Sequence, residues 1–141
     1  MPYNILVVDD SASMRKVIMK SIRMTRIGEI DFFEAGHGEE ALLVIKDKWI
    51  DLVFSDVNMP VMDGFAFAKR LLENELTKTT PVIIVTSGVA AESNPKAQLS
   101  NIKHIVYKPF RPEVIREIII NTLRLEVSED DDDSGFEGAD F

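Results

Sequence analysis

The chain is predicted to be an α/β domain, a doubly wound parallel sheet of five strands alternating with helices. Three observations predict it. Five short apolar runs, at residues 5–8, 30–34, 52–54, 81–86 and 102–107, have strand length. The segments between them carry apolar residues at helical spacing. The runs are nearly continuous in apolar residues rather than alternating, as strands of a parallel sheet covered on both faces are.

Taken in order, Ile5-Leu6-Val7-Val8 is the first strand, closed by Asp9-Asp10. Capping residues at 11–13 open a helix with Met14, Val17, Ile18 and Ile22 on its apolar side, and Gly28 is expected to close it. The second strand, 30–34, leads through Gly36-His37-Gly38 into a helix whose first turn holds Glu39 and Glu40, favourable to the helix dipole. The third strand ends in Asp56. Behind it Met59 is pushed toward extended backbone by Pro60, and Asp63-Gly64 reads as a turn pair. Phe65, Ala68, Leu72 and Leu76 mark a third helix, and 81–86 a fourth strand with Pro81 at its first residue. The segment 87–101 should be helix by alternation, but Gly88 and Pro95 punctuate it. Asn94 capping a helix that begins at Pro95 leaves one or two turns, and 87–94 is expected to be loop-like. The fifth strand, 102–107, precedes a helix started by Arg111-Pro112-Glu113, with Val114, Ile115, Ile118, Ile119 and Leu123 as its apolar face. Trp49 is expected to pack over the start of the third strand, His37 to be a solvated loop residue and His104 to sit at the entry of the fifth strand.

Right-handed crossovers leave few topologies for this count. The flavodoxin-like order 2-1-3-4-5 makes the tips of strands one and three neighbours. Asp9, Asp10 and Asp56 then converge, and Thr86 and Lys108 reach the same edge. Packed carboxylates repel one another, and a hard divalent cation relieves the repulsion. Magnesium takes oxygen ligands, so these carboxylates with a backbone carbonyl such as that of Asn58 make a partial shell. Capping alone would need one aspartate at 9–10, not two. Lysine beside such a cation suits an anion with spread charge, as in phosphoryl transfer, in which a carboxylate can be the nucleophile.

Composition narrows the classes. The 141 residues are 45% hydrophobic and 28% charged, enough for one domain with a full core. The net charge of −8 lies in the tail: eight of the 24 acidic residues follow Leu125, with no basic one, leaving 16 acidic against 16 basic before it. No basic patch argues for nucleic acid. The absence of cysteine excludes disulfides and thiolate metal sites. Neither a signal peptide nor a membrane span is recognisable, so a cytoplasmic protein without membrane insertion is expected.

Val8-Asp9-Asp10-Ser11, Asp56 with Met59-Pro60 and Asp63-Gly64, Thr86-Ser87 and Lys108-Pro109-Phe110 resemble the receiver domain of two-component response regulators over residues 3–125. Met14-Arg15 and Asn58-Met59-Pro60 are most similar to the stand-alone, CheY-like chemotaxis type. The resemblance implies Asp56 as phosphoacceptor and Asp9, Asp10, Asp56 and the Asn58 carbonyl as the magnesium shell. It implies Thr86 as switch hydroxyl, Lys108 as phosphoryl-binding cation and a cis Lys108-Pro109 bond. The phosphodonor it implies is a phosphohistidine on a sensor histidine kinase, and the receiver is an enzyme only toward its own phosphorylation and dephosphorylation. Where the family commonly has an aromatic residue, this chain has Ile105; Tyr107, on the same strand face, is the candidate to report phosphorylation. With no further domain, output is expected through protein contacts.

Two other readings compete. A magnesium phosphohydrolase of the haloacid dehalogenase type also forms an aspartyl-phosphate, but from an Asp-x-Asp motif. A constitutive adaptor would not need all five motifs. The segment 126–141, with Phe136 and Phe141, is expected to be a disordered solubilising tail, with a docking peptide as the alternative.

Overall fold

The computed structural model describes residues 2–88 and 91–124. The elements run β1 (Tyr3–Val8), α1 (Ala12–Arg23), β2 (Ile30–Ala35), α2 (Gly38–Asp47), β3 (Leu52–Ser55), α3 (Gly64–Leu72), β4 (Val82–Thr86), β5 (Ile102–Tyr107) and α4 (Pro112–Leu123). The five strands form one parallel sheet in the order β2-β1-β3-β4-β5, as expected.

The alternation of side chains along a strand divides the core into two layers. Ile5 and Val7 of β1, Leu52 and Phe54 of β3, and Ile83 and Val85 of β4 face Ile18 and Ile22 of α1 and Ile115 and Ile119 of α4. Leu6, Val8, Val53, Val82 and Ile84 face Ala41 of α2 and Phe65, Ala68 and Leu71 of α3. Both faces of the central strands are therefore dry, which is why their sequence shows no polar alternation. The apolar stripe of each helix is the face it turns to the sheet; Val17 and Val114, read as part of those stripes, are 50% and 46% exposed.

Several local readings are corrected. In place of a fourth α-helix the described residues of that segment hold two 3-10 turns, Ala91–Ser93 and Pro95–Gln98. Asn94 does cap the second, its Oδ1 accepting from the Lys96 N–H at 2.9 Å. Pro95 has no N–H to donate and Gly88 disfavours helix, so no α-helix forms among the described residues of the segment. The loop expectation for 87–94 falls partly outside the described residues, at 89 and 90. The tail 126–141 lies wholly outside them. α1 closes at Arg23 rather than at Gly28, which serves the following turn at φ 132°. α3 ends at Leu72, and Leu76, read as its fourth apolar position, lies beyond it and is 80% exposed. Trp49 does not pack over β3: it is 71% exposed, its indole N–H donating to Asp51 Oδ1 at 3.1 Å. His37 is not merely solvated but caps α2, its Nδ1 accepting from the Glu40 N–H at 3.3 Å. β4 begins at Val82, and Pro81 contributes only a carbonyl, accepting from Val53 N–H at 3.0 Å. Asp63-Gly64 is a helix start: Asp63 Oδ1 accepts from Ala66 N–H at 2.7 Å.

The loop between β3 and α3 holds a strained residue. Met62 N–H donates to the Pro60 carbonyl at 2.7 Å across Val61, whose φ is 70°. A three-residue turn with positive φ at its centre is rare, and a β-branched residue is poorly suited to it. Val61 is 88% exposed and loses no packing if shortened. Val61→Gly is therefore expected to stabilise the protein by about 1 kcal/mol, the strain relieved exceeding the entropy cost of glycine. Urea denaturation checks this; a lower midpoint for the variant would refute it.

Candidate functional site: an acidic pocket at the carboxyl edge of the sheet

The register brings the site together. Val8 pairs with Ala35 and with Ser55, so the next residue of β1 and of β3 is an aspartate at the same height. Asp9 N–H donates to the Ala35 carbonyl at 3.1 Å and Asp56 N–H to the Val8 carbonyl at 2.9 Å. On the other side Thr86 pairs with Tyr107, and Lys108 N–H donates to the Thr86 carbonyl at 2.8 Å. The ladder thus holds the backbones of Asp9, Asp56, Thr86 and Lys108 before any side-chain contact is counted.

The side chains differ in freedom. Asp9 is buried and fully engaged: Oδ1 accepts from Ser11 N–H at 2.9 Å, Oδ2 from Lys108 Nζ at 3.3 Å, and its carbonyl from an Arg15 Nη at 2.6 Å. Asp10 is exposed. Asp56 is buried; its Oδ1 accepts from Val57 N–H at 2.7 Å and its Oδ2 lies 3.8 Å from Lys108 Nζ. One carboxylate oxygen from each of the three aspartates falls within 4.8 Å of the others. Lys108 pairs with two of these carboxylates, Asp9 and Asp56, and three carboxylates against that ammonium leave a negative surplus. Burial pushes the Asp56 carboxyl above its ordinary pKa; Lys108 pulls it back, Asp9 adds to the rise, and the N–H groups of Val57 and Asn58 lower it.

Thr86 is buried at the same edge, its Oγ1 accepting from Gly88 N–H at 3.0 Å. Asn58 is exposed in the loop beyond Asp56. Tyr107 is exposed, and its hydroxyl accepts from Glu92 N–H at 3.4 Å, which ties the end of β5 to the first 3-10 turn. Ile105 instead packs into the core layer shared with α2 and α3. The Lys108-Pro109 bond is cis.

Two supports were not assigned from the sequence. Arg15 joins the Asp9 carbonyl to Glu34 on β2, its Nε donating to Glu34 Oε1 at 2.8 Å. Its signal was only its place in the first turn of α1, where long side chains lean toward the helix N-terminus. Gly64 packs on the Asp56 carbonyl so closely that a Cβ there would collide with it.

The lysine-bridged acidic pocket lies at the carboxyl edge of a doubly wound sheet, the place where ligands bind in open α/β domains. The profile of the response regulator receiver domain matches residues 5–120, and the chain belongs to that family. It is 33% identical over 120 residues to the chemotaxis protein CheY homolog of Campylobacter jejuni, covering 84% of this chain and 91% of that one. It is 31% identical over 126 residues to the sensor histidine kinase CheAY of Helicobacter pylori, covering 88% of this chain and 15% of that protein. Among solved structures, the chemotaxis response regulator CheY4 of Vibrio cholerae superposes with a TM-score of 0.76 at 29% identity, covering 87% of this chain and all of that one. The chain is thus a two-component signalling domain homologous to CheY. No helix among the described residues is long and apolar enough to cross a membrane.

Proposed function

We propose that this protein is a phosphorylation-driven binding switch, with Asp56 as the phosphoacceptor and a sensor-kinase phosphohistidine as the donor, in a chemotaxis-type pathway. The observation that carries the reading is the meeting of the Asp9, Asp10 and Asp56 carboxylates within 4.8 Å, with Lys108 Nζ bound to Asp9 and beside Asp56. An Asp56 oxygen attacks the phosphorus. The P–N bond breaks, its electron pair stays on the imidazole nitrogen, and an acyl phosphate forms. Water later attacks the same phosphorus and returns the carboxylate and inorganic phosphate. Lys108 neutralises charge on the phosphoryl oxygens, and Thr86 Oγ1 leaves Gly88 to donate to one of them.

The donor set fits magnesium: hard oxygens, one carboxylate fixed and one exposed, with net negative charge. Asp9, Asp10, Asp56 and the Asn58 carbonyl would hold it, and the ion would supply neutralisation of the carboxylates and of the incoming phosphoryl group. Phosphorylation is read out at β5 when Thr86 moves, through Tyr107 and its tether to Glu92.

The test is incubation with a small phosphodonor such as acetyl phosphate, with and without magnesium, followed by intact-mass and peptide analysis. One phosphoryl adduct, mapped to Asp56 and dependent on magnesium, is expected. No adduct under either condition would leave a constitutive adaptor, and steady hydrolysis of unrelated phosphate esters would favour a phosphohydrolase.

A further inference from the structure

The outer face of α1 is basic. Residues 12–23 contain four basic residues and no acidic one. Lys16, Lys20 and Arg23 are exposed and stand at i, i+4 and i+7, so they form one stripe along the helix. None of the three forms an ion pair among the described residues. About a third of a turn round α1 from the stripe, on the flank toward α4, an apolar groove of about 440 Å³ opens between α1 and the loop after β5, lined by Met14, Val17, Ser21, Lys108, Pro109 and Phe110. Val17 is half exposed in it.

We infer that the acidic segment 126–141 folds back on this face, with Glu129 to Asp133 along the Lys16–Lys20–Arg23 stripe and Phe136 in the groove. The chemistry matches: five consecutive carboxylates followed, three residues on, by an aromatic residue, against a run of cations with an apolar seat beside it across the outer face of α1. The starting point also matches. α4 lies beside α1 on the same layer of the sheet, and Arg116 Nε donates to the Thr25 carbonyl at 3.1 Å, just past the end of α1. Arg124, the C-cap of α4, is eight residues further, about 12 Å of helix. From Arg23 back to Met14 is about 14 Å of helix. The twelve residues from Arg124 to Phe136 can extend about 40 Å, more than the sum. The competing apolar surface around Trp49 and Leu76 is lined by Lys46, Lys48 and Arg70 but also by Asp47 and Glu73, and lacks an unbroken cationic stripe.

The chain has no cysteine, so a single spin label can be placed cleanly. Ser134→Cys carrying a nitroxide keeps both phenylalanines, and its paramagnetic broadening of backbone amides is read in the full-length, isotope-labelled protein. Broadening is expected at Met14, Val17, Lys20 and Phe110, with Leu43 and Leu76 on the opposite layer unaffected. It is expected to vanish at about 1 M salt, where charges more than about 3 Å apart are screened. It should also vanish in a Lys16→Gln/Lys20→Gln/Arg23→Gln variant whose spectrum otherwise shows the native fold. Phe136→Ser should remove the effect at Met14 and Phe110 while keeping it at Lys20. No broadening, broadening spread over both layers, or broadening at Leu76 would overturn the inference. So would broadening of an isotope-labelled, label-free chain mixed with spin-labelled chains, which would make a second copy the occupant.

Discussion

Replacing Asp56 with asparagine is expected to abolish the phosphoryl adduct and, in the metal-free protein at neutral pH, to raise stability by about 1–2 kcal/mol. Two effects combine. The substitution removes the proposed nucleophile, and the other buried carboxylate, Asp9, is already held on both oxygens by Ser11 and Lys108. It also removes one of the two buried carboxylates that share Lys108, with the exposed Asp10 carboxylate close by, and relieving such a contact is worth energy of that order.

The pH dependence follows from the direction of the shift. Burial raises the Asp56 carboxyl above its ordinary value. Below the unfolded-state pKa, about 3.9, the group is protonated in both states and costs nothing. As the pH climbs from there through the raised folded value, the unfolded chain releases its proton first and the native state loses stability. Above the folded value the full penalty is present. The gap between Asp56→Asn and the natural protein should therefore open across that window and stay open at neutral pH. Magnesium should close it, because an ion held by the carboxylates stabilises the folded state by about 2.7 kcal/mol at a hundredfold excess over its dissociation constant. Thermal unfolding of both proteins in chelator and in magnesium measures this. A variant less stable than the natural protein in chelator, or a gap indifferent to magnesium, would show that the carboxylates are not in electrostatic conflict.

The site was legible because it is built from strand ends. Once the apolar runs are read as parallel strands in the order 2-1-3-4-5, the residues following Val8, Ser55 and Tyr107 are forced to the same edge, and Thr86 with them. None of that depends on where a helix ends. What the sequence concealed depends on tertiary detail. Leu76 fits a helical period but follows the end of α3, since periodicity does not record where packing stops. Trp49 is large and apolar yet solvent-facing, because its indole N–H finds Asp51 rather than the core. Val61 gives no sign of its positive φ, which the closing of the loop from Asp56 to Asp63 imposes. Arg15 and Gly64 act on Asp9 and Asp56 through backbone carbonyls, and a contact with a carbonyl leaves no pattern of residue types to read.

Gly64 gives the second large effect. Gly64→Ala is expected to destabilise the protein by about 3 kcal/mol or more, at the upper end for overpacking. The reason is space rather than conformation, since Gly64 opens α3 with ordinary negative φ. A Cβ built there collides with the Asp56 carbonyl oxygen and comes within 3.0 Å of the Asp56 carbonyl carbon and 3.1 Å of Val57 Cα. These are backbone atoms of the strand end, unable to swing aside as a side chain would. Gly64 N–H also donates to the Val57 carbonyl at 2.9 Å, so the helix start is fastened to the same peptide groups. Relief would have to come from moving α3 outward or the end of β3 inward. Either shifts Asp56 away from Lys108 and Asp9, so that a variant still folded in stabilising conditions should take up phosphoryl more slowly than the natural protein. Gly36→Ala is the control: its Cβ would meet only the tip of Glu40 at 3.4 Å and of Arg15 at 3.8 Å, and its stability should change little. Denaturant midpoints of the two alanine variants, measured beside their rates of modification by acetyl phosphate, decide the matter. If Gly64→Ala falls within about 1 kcal/mol of the natural protein, the strand end is free to yield and the helix start does not set the position of the nucleophile.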